Sequence, residues 1–241
     1  MEKNNNSEND FENKLKLTEK DYNSILETIN DPKNKEKIKI IPIEVTRTLS
    51  KDENKNEISQ KDLEEVLKVF VLSNGDLGYY SGMSFIAKII MNITNNNKVK
   101  TFIILRNIFE NQILKNIYLN KDINNIINNF KIKFKENIPK LYEHFEKNNI
   151  QPNLYIITWI QSLFCFTFDS NIAEYILKLF ITSFNFDILI DAILSILMTL
   201  ENDLLNKKQM DLYIVLCSIN ISIDYNKFIE NMKKFNHKLL N

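Results

Sequence analysis

The chain has 241 residues, enough for one large domain or two small helical ones. Its 31 basic and 31 acidic residues balance, so bulk charge does not favour nucleic acid as a partner. Only three glycines and four prolines accompany 44% apolar residues, too few for the turns of a β-sandwich or barrel, and composition therefore predicts an all-α fold.

The sequence shows no pattern typical of secretion or membrane insertion. Met1 to Asp10 is polar, unlike a signal peptide. The longest apolar run, Leu154 to Phe168, contains polar residues and is too short to span a bilayer. Two cysteines, Cys165 and Cys217, are too few for a disulfide framework. We expect a soluble, cytoplasmic protein with a disordered polar tail over residues 1–16.

Apolar periodicity predicts the first helices. Leu17 to Ile29 carries a short helical pattern, and the Lys-rich stretch to Lys39 is predicted as a loop. The clearest helix follows Ser59, with Asp62 three residues later as a capping box. Its apolar residues recur at i, i+3, i+4, i+7 and i+8: Leu63, Val66, Leu67, Phe70 and Val71. The helix is predicted to end at the turn signal Asn74-Gly75.

The rest of the chain also reads as helices, and no fixed repeat indicates a solenoid. They are predicted over Ser81 to Asn92, Val99 to Leu114, Ile123 to Phe134, a segment after Pro139, Tyr155 to Phe166, Ala173 to Phe184, Ile188 to Leu200 and Leu212 to Ile221. The last four are apolar nearly all round, which is typical of buried helices. We therefore expect two packed helical subdomains, roughly residues 17–147 and 148–241.

All three glycines, Gly75, Gly78 and Gly82, lie close together. Since the chain avoids glycine elsewhere, unusual backbone conformation or close approach is expected here. No lysine follows at the spacing of a phosphate-binding loop, so a nucleotide cradle is excluded. One interpretation is a sharp connection between two helices with Ser81 as the N-cap. The other is a functional loop.

Arginine is rare in this chain. Only two of the 31 basic residues are arginines, Arg47 and Arg106. Where lysine is the default cation, an arginine can indicate a place that needs the planar, multidentate guanidinium group.

Two segments resemble a known family. Ile41 to Thr48, read as I-P-I-E-V-T-R-T, resembles the I-x-x-D-x-x-R-T motif of TBC domains, the Rab GTPase-activating proteins. Gly78 to Ser84, read as G-Y-Y-S-G-M-S, resembles that family's G-Y-x-Q-G-M-x motif. The helix between them, Leu63 to Asn74, fits the family's spacing.

Two later segments extend the resemblance over roughly residues 20–205. Pro139 to His144 is similar to the family's P-x-L-x-x-H element, and Leu154 to Phe164 resembles its Y-x-x-x-W-x-x-x-L-F helix. The tryptophan-aspartate pair of the later helices and the early R-x-x-x-W element are absent. The chain is thus identified as a divergent member.

The resemblance implies an all-α fold of two subdomains and two catalytic fingers. Arg47 matches the arginine finger, which stabilises charge on the transferring phosphoryl group of the GTPase. The second finger is a glutamine that positions water, and here its place is taken by Ser81, whose side chain is too short. Glu44 stands where the family has aspartate. The chain therefore lacks the glutamine finger.

The same resemblance implies the remaining site residues and the partner. Partner-binding positions are expected at Ile41, Glu44, Thr48, Tyr79 and Gly82. The expected partner is a Rab-type GTPase in its GTP-bound form, through which the protein reaches endomembranes. It would activate that GTPase in trans rather than hold a substrate of its own. Two hypotheses stay open at Ser81: residual activity through the arginine alone, or a catalytically inactive scaffold that binds GTPases or other proteins.

Five further positions carry side chains that can bind metals or act in catalysis. His144 and His237 have no cysteine or carboxylate at metal-ligand spacing, so no metal is expected. Cys165 lies among apolar residues, which favours an inert core thiol over a nucleophile. Asp187 and Asp191 share a helix face at i, i+4, and we favour a helix surface over a functional carboxylate pair. No cofactor is expected.

Overall fold

The computed structural model describes residues 17–50, 58–75, 77–119, 121, 123–219 and 221–235. The tail expected over residues 1–16, and His237, lie outside these ranges. Within them the regular structure is helical, apart from one isolated β-bridge between Phe168 and Ile221. The all-α fold predicted from composition and resemblance is confirmed.

The helices fall into two compact units, Met1–Leu119 and Asn120–Asn241. The described helices of the first unit are α1 (Glu19–Leu26), a 3₁₀ turn (Pro32–Asn34), α2 (Lys35–Ile38), α3 (Ile41–Ser50), α4 (Gln60–Ser73), α5 (Met83–Ile93), α6 (Lys98–Glu110) and α7 (Gln112–Tyr118). Those of the second unit are α8 (Ile123–Asn137), α9 (Pro139–Lys147), a 3₁₀ turn (Pro152–Leu154), α10 (Ile156–Gln161), α11 (Ser170–Ser183), α12 (Asp187–Leu205), α13 (Gln209–Cys217) and α14 (Tyr225–Phe235).

The boundary between the units lies before α8, whereas the sequence suggested residue 147, after α9. Both helices are tied to α12 of the second unit. The imidazole Nε2 of His144 lies 2.8 Å from the Lys207 carbonyl at the end of α12. The ammonium group of Lys133 on α8 donates to Asp187 at 3.0 Å. Amphipathic helices with polar outer faces belong to the core against which their apolar side packs.

Helix α4 organises the first unit, contacting α1, α2, α3, α5 and α6. The five apolar residues predicted for its buried face are all 0–2% exposed: Leu63, Val66, Leu67, Phe70 and Val71. The predicted capping box is wrong, because the Ser59 side chain makes no cap hydrogen bond. Instead, the Asp62 carboxylate lies 3.3 Å from the ammonium group of Lys98.

The loop predicted up to Lys39 contains the first 3₁₀ turn and α2. Asp31 starts it, because its carboxylate accepts from the Lys33 backbone amide at 3.0 Å. Pro32 fits the first position of such a turn, where no amide donor is needed. The turn places Ile38 in the core, with 8% exposed.

The helix predicted from Val99 to Leu114 is interrupted at Asn111. Its side-chain oxygen accepts from the backbone amides of Ile113 and Leu114, so Asn111 ends α6 and caps α7. Asparagine is a strong N-cap, and that local bond wins over continuous helix.

In the second unit, α10 ends at Gln161, short of the helix predicted to Phe166. Leu163 and Phe164 adopt φ of 45° and 65°, a left-handed turn that bulky residues rarely enter. The Phe164 amide donates to the Trp159 carbonyl at 2.8 Å, and both side chains are buried. Burial of these side chains offsets the backbone cost.

Helix α14 was not predicted. Its polar sequence carries few apolar residues, of which Phe228 and Met232 are 0% and 1% exposed. It packs on α12. Within the ranges given above, each helix is too short or too polar to cross a bilayer.

The connection between α4 and α5 turns on Gly82 rather than Ser81. Gly82 is the N-cap of α5 and adopts φ 98° and ψ −18°, so the interpretation of Ser81 as N-cap is wrong. Only glycine enters this conformation without steric cost. A glycine at residue 82 lets the chain reverse and enter α5 within a few residues.

Gly82→Ala is expected to lower the free energy of unfolding by about 1–2 kcal/mol, since an L-residue pays that cost for left-handed backbone. Gly75→Ala is the matched control, because Gly75 has no positive φ and a methyl group there meets nothing within 4 Å. Its stability should change by less than about 1 kcal/mol. Urea denaturation measures both variants, and equal effects would contradict the assignment.

Candidate functional site

Helix α3 has one buried and one exposed face. Ile41, Glu44, Val45 and Thr48 are buried at the spacing i, i+3, i+4 and i+7. The opposite face carries Arg47, whose side chain is 60% exposed. Packing of the apolar face against the unit's core thus directs the guanidinium group of Arg47 to the surface.

Arg47 forms an ion pair one turn back along the helix. Its Nη1 donates to Glu44 Oε1 at 3.0 Å, and the Glu44 side chain is only 11% exposed. Because the Glu44 carboxylate is largely buried, it needs a cationic partner more than an exposed carboxylate does. The guanidinium group of Arg47 is therefore oriented by Glu44 and can leave it only where new acceptors replace that bond.

A second element adjoins α3: residues 75 and 77–82, here called the glycine segment, followed by α5. Ser84 Oγ lies 2.7 Å from Thr48 Oγ1 and accepts from the Tyr79 hydroxyl at 3.1 Å. Thr48 Oγ1 also donates to the Glu44 carbonyl at 2.8 Å. Each hydroxyl has one proton, so a consistent arrangement runs from Tyr79 to Ser84, to Thr48, and on to the Glu44 carbonyl.

The electrostatic environment of Tyr79 also reports its closeness to the ion pair. Burial raises the pKa of Tyr79 to about 12, the hydrogen bond with Ser84 lowers it, the charge of Glu44 raises it, and that of Arg47 lowers it. The phenol of Tyr79 thus lies within reach of both charges on α3. The glycine segment and Arg47 form one site.

Ser81 is exposed at the end of the glycine segment. Its neighbour Tyr80 packs on Tyr118 of α7, with ring centroids 5.2 Å apart. The Tyr80 carbonyl accepts from the Met83 amide at 3.2 Å, which fixes the turn before α5. Tyr79 and Tyr80, the two residues before Ser81, anchor the turn, and Ser81 faces outward.

The predicted partner-binding residues divide by exposure. Tyr79 is half-buried, and Glu44 is 8% exposed. Ile41 and Thr48 are 0% exposed and Gly82 is buried, so these three have no free surface for a partner. They hold α3 and the glycine segment in place.

Sequence reasoning did not single out Ser84. It joins the two halves of the site, and it is 0% exposed. Its position in the family pattern accepts any residue, so the motif carried no signal for it. The signal that could have suggested the pair is a hydroxyl side chain in the buried face of each helix, Thr48 in α3 and Ser84 in α5.

The other constellations are structural. Burial raises the pKa of the Cys165 thiol well above its ordinary value, as expected of an inert core cysteine. Through the contact already described, His144 closes the end of α12. Among the described residues, no group of three His, Cys, Asp or Glu side chains could hold a metal ion.

The Asp187–Asp191 pair differs from the expectation of a helix surface. Asp191 is 8% exposed, and its pKa is raised to about 6, mainly by burial; the charge of Lys133 opposes this shift and that of Asp187 adds to it. Lys133 Nζ lies 3.0 Å from Asp187 and 3.8 Å from Asp191. A lysine from α8 therefore pairs with both carboxylates.

Tyr79→Phe is expected to lower stability at pH 8 by about 0.5–1.5 kcal/mol, the contribution of the lost hydrogen bond to Ser84. The difference in free energy of unfolding between the wild type and Tyr79→Phe should shrink as pH rises from 10 to 12. In that window the unfolded wild type releases the phenolic proton while the folded one retains it, so the wild type loses stability with rising pH. Urea denaturation across this range measures both proteins, and a constant gap would contradict a raised pKa.

The chain matches known proteins in sequence and fold. The family model described as Rab-GTPase-TBC domain matches residues 2–205. TBC1 domain family member 14 of Bos taurus is 35% identical over 105 residues, covering 42% of this chain and 15% of that protein. The GTPase-activating protein GYP5 of Saccharomyces cerevisiae is 25% identical over 138 residues, covering 56% of this chain and 15% of that protein. The chain thus spans about a sixth of the length of these relatives.

Two solved structures share the fold. The Chlamydomonas flagellar RabGAP TBC domain gives a TM-score of 0.78 at 15% identity, covering 98% of this chain and 78% of that one. The Ypt/Rab-GAP domain of Gyp1p gives 0.68 at 14% identity, covering 89% and 77%. Because the family model spans most of the sequence and the fold agrees, this chain belongs to the Rab-GTPase-TBC domain family.

Proposed function

We propose that this protein binds a Rab-type small GTPase in its GTP-bound form and accelerates GTP hydrolysis by supplying Arg47 in trans. The observation that supports this most is the exposure of Arg47, 60% of its side chain, beside the glycine segment. The family match and the likeness to GYP5, a protein named as a GTPase activator, point the same way.

The chemistry that Arg47 offers is electrostatic. During phosphoryl transfer, negative charge spreads over oxygens of the γ-phosphate, and a planar guanidinium group can donate two hydrogen bonds to them. Arg47 must leave Glu44 to reach the γ-phosphate, and the charge-assisted hydrogen bonds to phosphate oxygens would replace that ion pair. Arginine fingers contribute about 10³- to 10⁵-fold in rate, or roughly 4–7 kcal/mol of barrier.

Ser81 limits the mechanism. A serine hydroxyl on Cβ cannot place an amide beside the attacking water, so the second finger is missing. The water must then be oriented by the GTPase's own glutamine, as in GTPases that use that residue for hydrolysis. Activity is therefore weaker than with two fingers and depends on the partner's glutamine.

A second candidate function is a catalytically inactive scaffold that binds GTPases or other proteins. Ser81 supports it, because loss of one finger is the first change expected where catalysis is no longer required. An arginine at residue 47, one of only two among 31 basic residues, favours the active form.

The GTP-bound form is the proposed partner because the guanidinium group needs the γ-phosphate as its target. The proposed location is the cytoplasm, with endomembranes reached through the GTPase.

Arg47→Ala is expected to abolish the acceleration of GTP hydrolysis, a loss of about 10³-fold or more, and Arg47→Lys should restore little because lysine lacks the planar fork. Single-turnover hydrolysis by a panel of GTP-loaded Rab proteins measures this. The control is Lys178→Ala, which removes an exposed cation paired with Glu174 in the second unit. Unchanged rates for Arg47→Ala on a responsive Rab would exclude the finger.

Ser81→Gln is expected to raise the rate and to free it from the partner's glutamine. With wild-type protein, a Rab variant whose catalytic glutamine is replaced by leucine should not respond, whereas with Ser81→Gln it should respond. The same single-turnover assay compares the four combinations. A Rab glutamine variant that responds fully to the wild-type protein would contradict the proposed part of Ser81, and no response to either protein on any Rab would favour the scaffold.

A further inference from the structure

The second arginine, Arg106, lies in the interior of the first unit. Its side chain is only 14% exposed on α6. Nη2 donates to Glu110 Oε1 at 2.8 Å, one turn further along the same helix, and Nη1 donates to Asn74 Oδ1 at 2.9 Å. The two outer nitrogens of the fork therefore bind two different elements, α6 itself and the end of α4.

Asn74 is the residue at which α4 ends and the glycine segment begins. It is the C-cap of α4 and is 6% exposed. The backbone amide of Asn74 donates to the Val71 carbonyl at 3.3 Å, and the backbone carbonyl of Asn74 accepts from the Leu77 amide at 3.0 Å. The backbone around Asn74 thus sets the first turn of the glycine segment, and the Arg106 side chain holds Asn74.

Two polar atoms of this pair are buried without a hydrogen-bond partner among the described residues: Asn74 Nδ2 and Arg106 Nε. Such atoms destabilise a fold, because each has given up water without compensation. Burial lowers the pKa of Arg106 and the charge of Glu110 raises it, and a guanidinium group stays protonated in proteins. Burial of the Arg106–Asn74 pair therefore lowers the stability of the fold. If the pair served packing alone, two apolar side chains would fill the same place at less cost.

We propose that Arg106 is a positioning residue of the site. Its guanidinium group, anchored by Glu110, fixes Asn74 and thereby sets where the glycine segment leaves α4 and how it presents Ser81. The far end of the segment is held by Tyr80 on Tyr118 and by Tyr79 on Ser84, so Arg106 secures the one end that these contacts leave open. The effect on GTP hydrolysis rests on the proposed function, but the positioning itself does not.

Lysine cannot replace Arg106 in this arrangement. A single ammonium group cannot reproduce the fixed separation of Nη1 and Nη2 that spans Asn74 and Glu110. Arg106→Lys keeps the charge and most of the stem, so it tests the fork with little loss of packing.

Hydrogen exchange measured on the whole protein tests the positioning directly. Arg106→Lys and Asn74→Ala should each speed exchange of the Leu77 amide by up to about tenfold, the factor that one hydrogen bond to a charged group is worth. Amides in the interior of α6 should keep their wild-type exchange, which separates local release from global unfolding. Lys178→Ala is the control with wild-type exchange throughout.

Asn74→Asp is expected to change the exchange rate of the Leu77 amide in the opposite direction. It replaces the unpartnered Nδ2 with a second acceptor and places a carboxylate opposite Arg106, so a charge-assisted, bidentate contact becomes available. Exchange of the Leu77 amide should be slower than in wild type. In the Arg106→Lys background, Asn74→Asp should slow exchange of the Leu77 amide much less. The effects of the two substitutions on this exchange rate should therefore be non-additive.

The activity assay separates this inference from the proposed function. On a responsive Rab, Arg106→Lys and Asn74→Ala should each lower kcat/KM several-fold, and the control Lys178→Ala should not. Asn74→Asp, which keeps a contact with Arg106, should lower kcat/KM less than Asn74→Ala does, an order that lost packing alone would not give. If no Rab responds to the wild-type protein, the proposed function fails and the exchange result still decides the positioning. Wild-type exchange at Leu77 in both Arg106→Lys and Asn74→Ala, or equal acceleration throughout α6, would overturn it.

Discussion

The site depends on the contact between Thr48 of α3 and Ser84 of α5, two hydroxyl oxygens 2.7 Å apart and fully buried. This contact joins the helix that carries Arg47 to the helix that follows the glycine segment. Because both groups are removed from water, each needs the other, and a shift of either helix would leave buried polar atoms unsatisfied. The pair therefore fixes the relative placement of α3 and the glycine segment, the two elements of the proposed GTPase-binding site.

Around that contact, α3 combines a buried apolar face with one exposed cationic side chain. Ile41 and Val45 anchor α3 in the core at 0% exposure, whereas the Arg47 side chain is largely in solvent. Glu44, whose side chain is only 11% exposed, orients the guanidinium group through their ion pair. Preorientation by a nearby carboxylate reduces the entropy that a long side chain loses when it enters a foreign active site.

The sequence predicted those features of the fold that depend on residues close together in the chain. The buried face of α4 followed from apolar spacing, and the left-handed backbone at Gly78 and Gly82 followed from the concentration of glycines. The turn itself was misassigned, because Ser81 is a good N-cap by composition while the steric demand of φ 98° falls on Gly82. Local competition also broke the helix at Asn111, where a side-chain cap outweighs helix continuation.

Long-range features could not be predicted from one sequence. Ser84 meets Thr48 across 36 residues, and Lys133 meets Asp187 across 54, so both pairs exist only once helices pack. For the same reason the burial of Asp191 was missed, since it depends on a neighbouring helix and not on its own. The boundary between the units likewise follows the packing of α8 and α9 on α12.

The central claim is that Arg47 acts on the transition state for phosphoryl transfer. The most direct test is the affinity of this protein for a responsive GDP-loaded Rab with and without aluminium fluoride, which mimics the transferring phosphoryl group. The account predicts tight binding only when aluminium fluoride is present, with that gain removed in Arg47→Ala. Equal affinity in both conditions, or an undiminished gain in the variant, would contradict it.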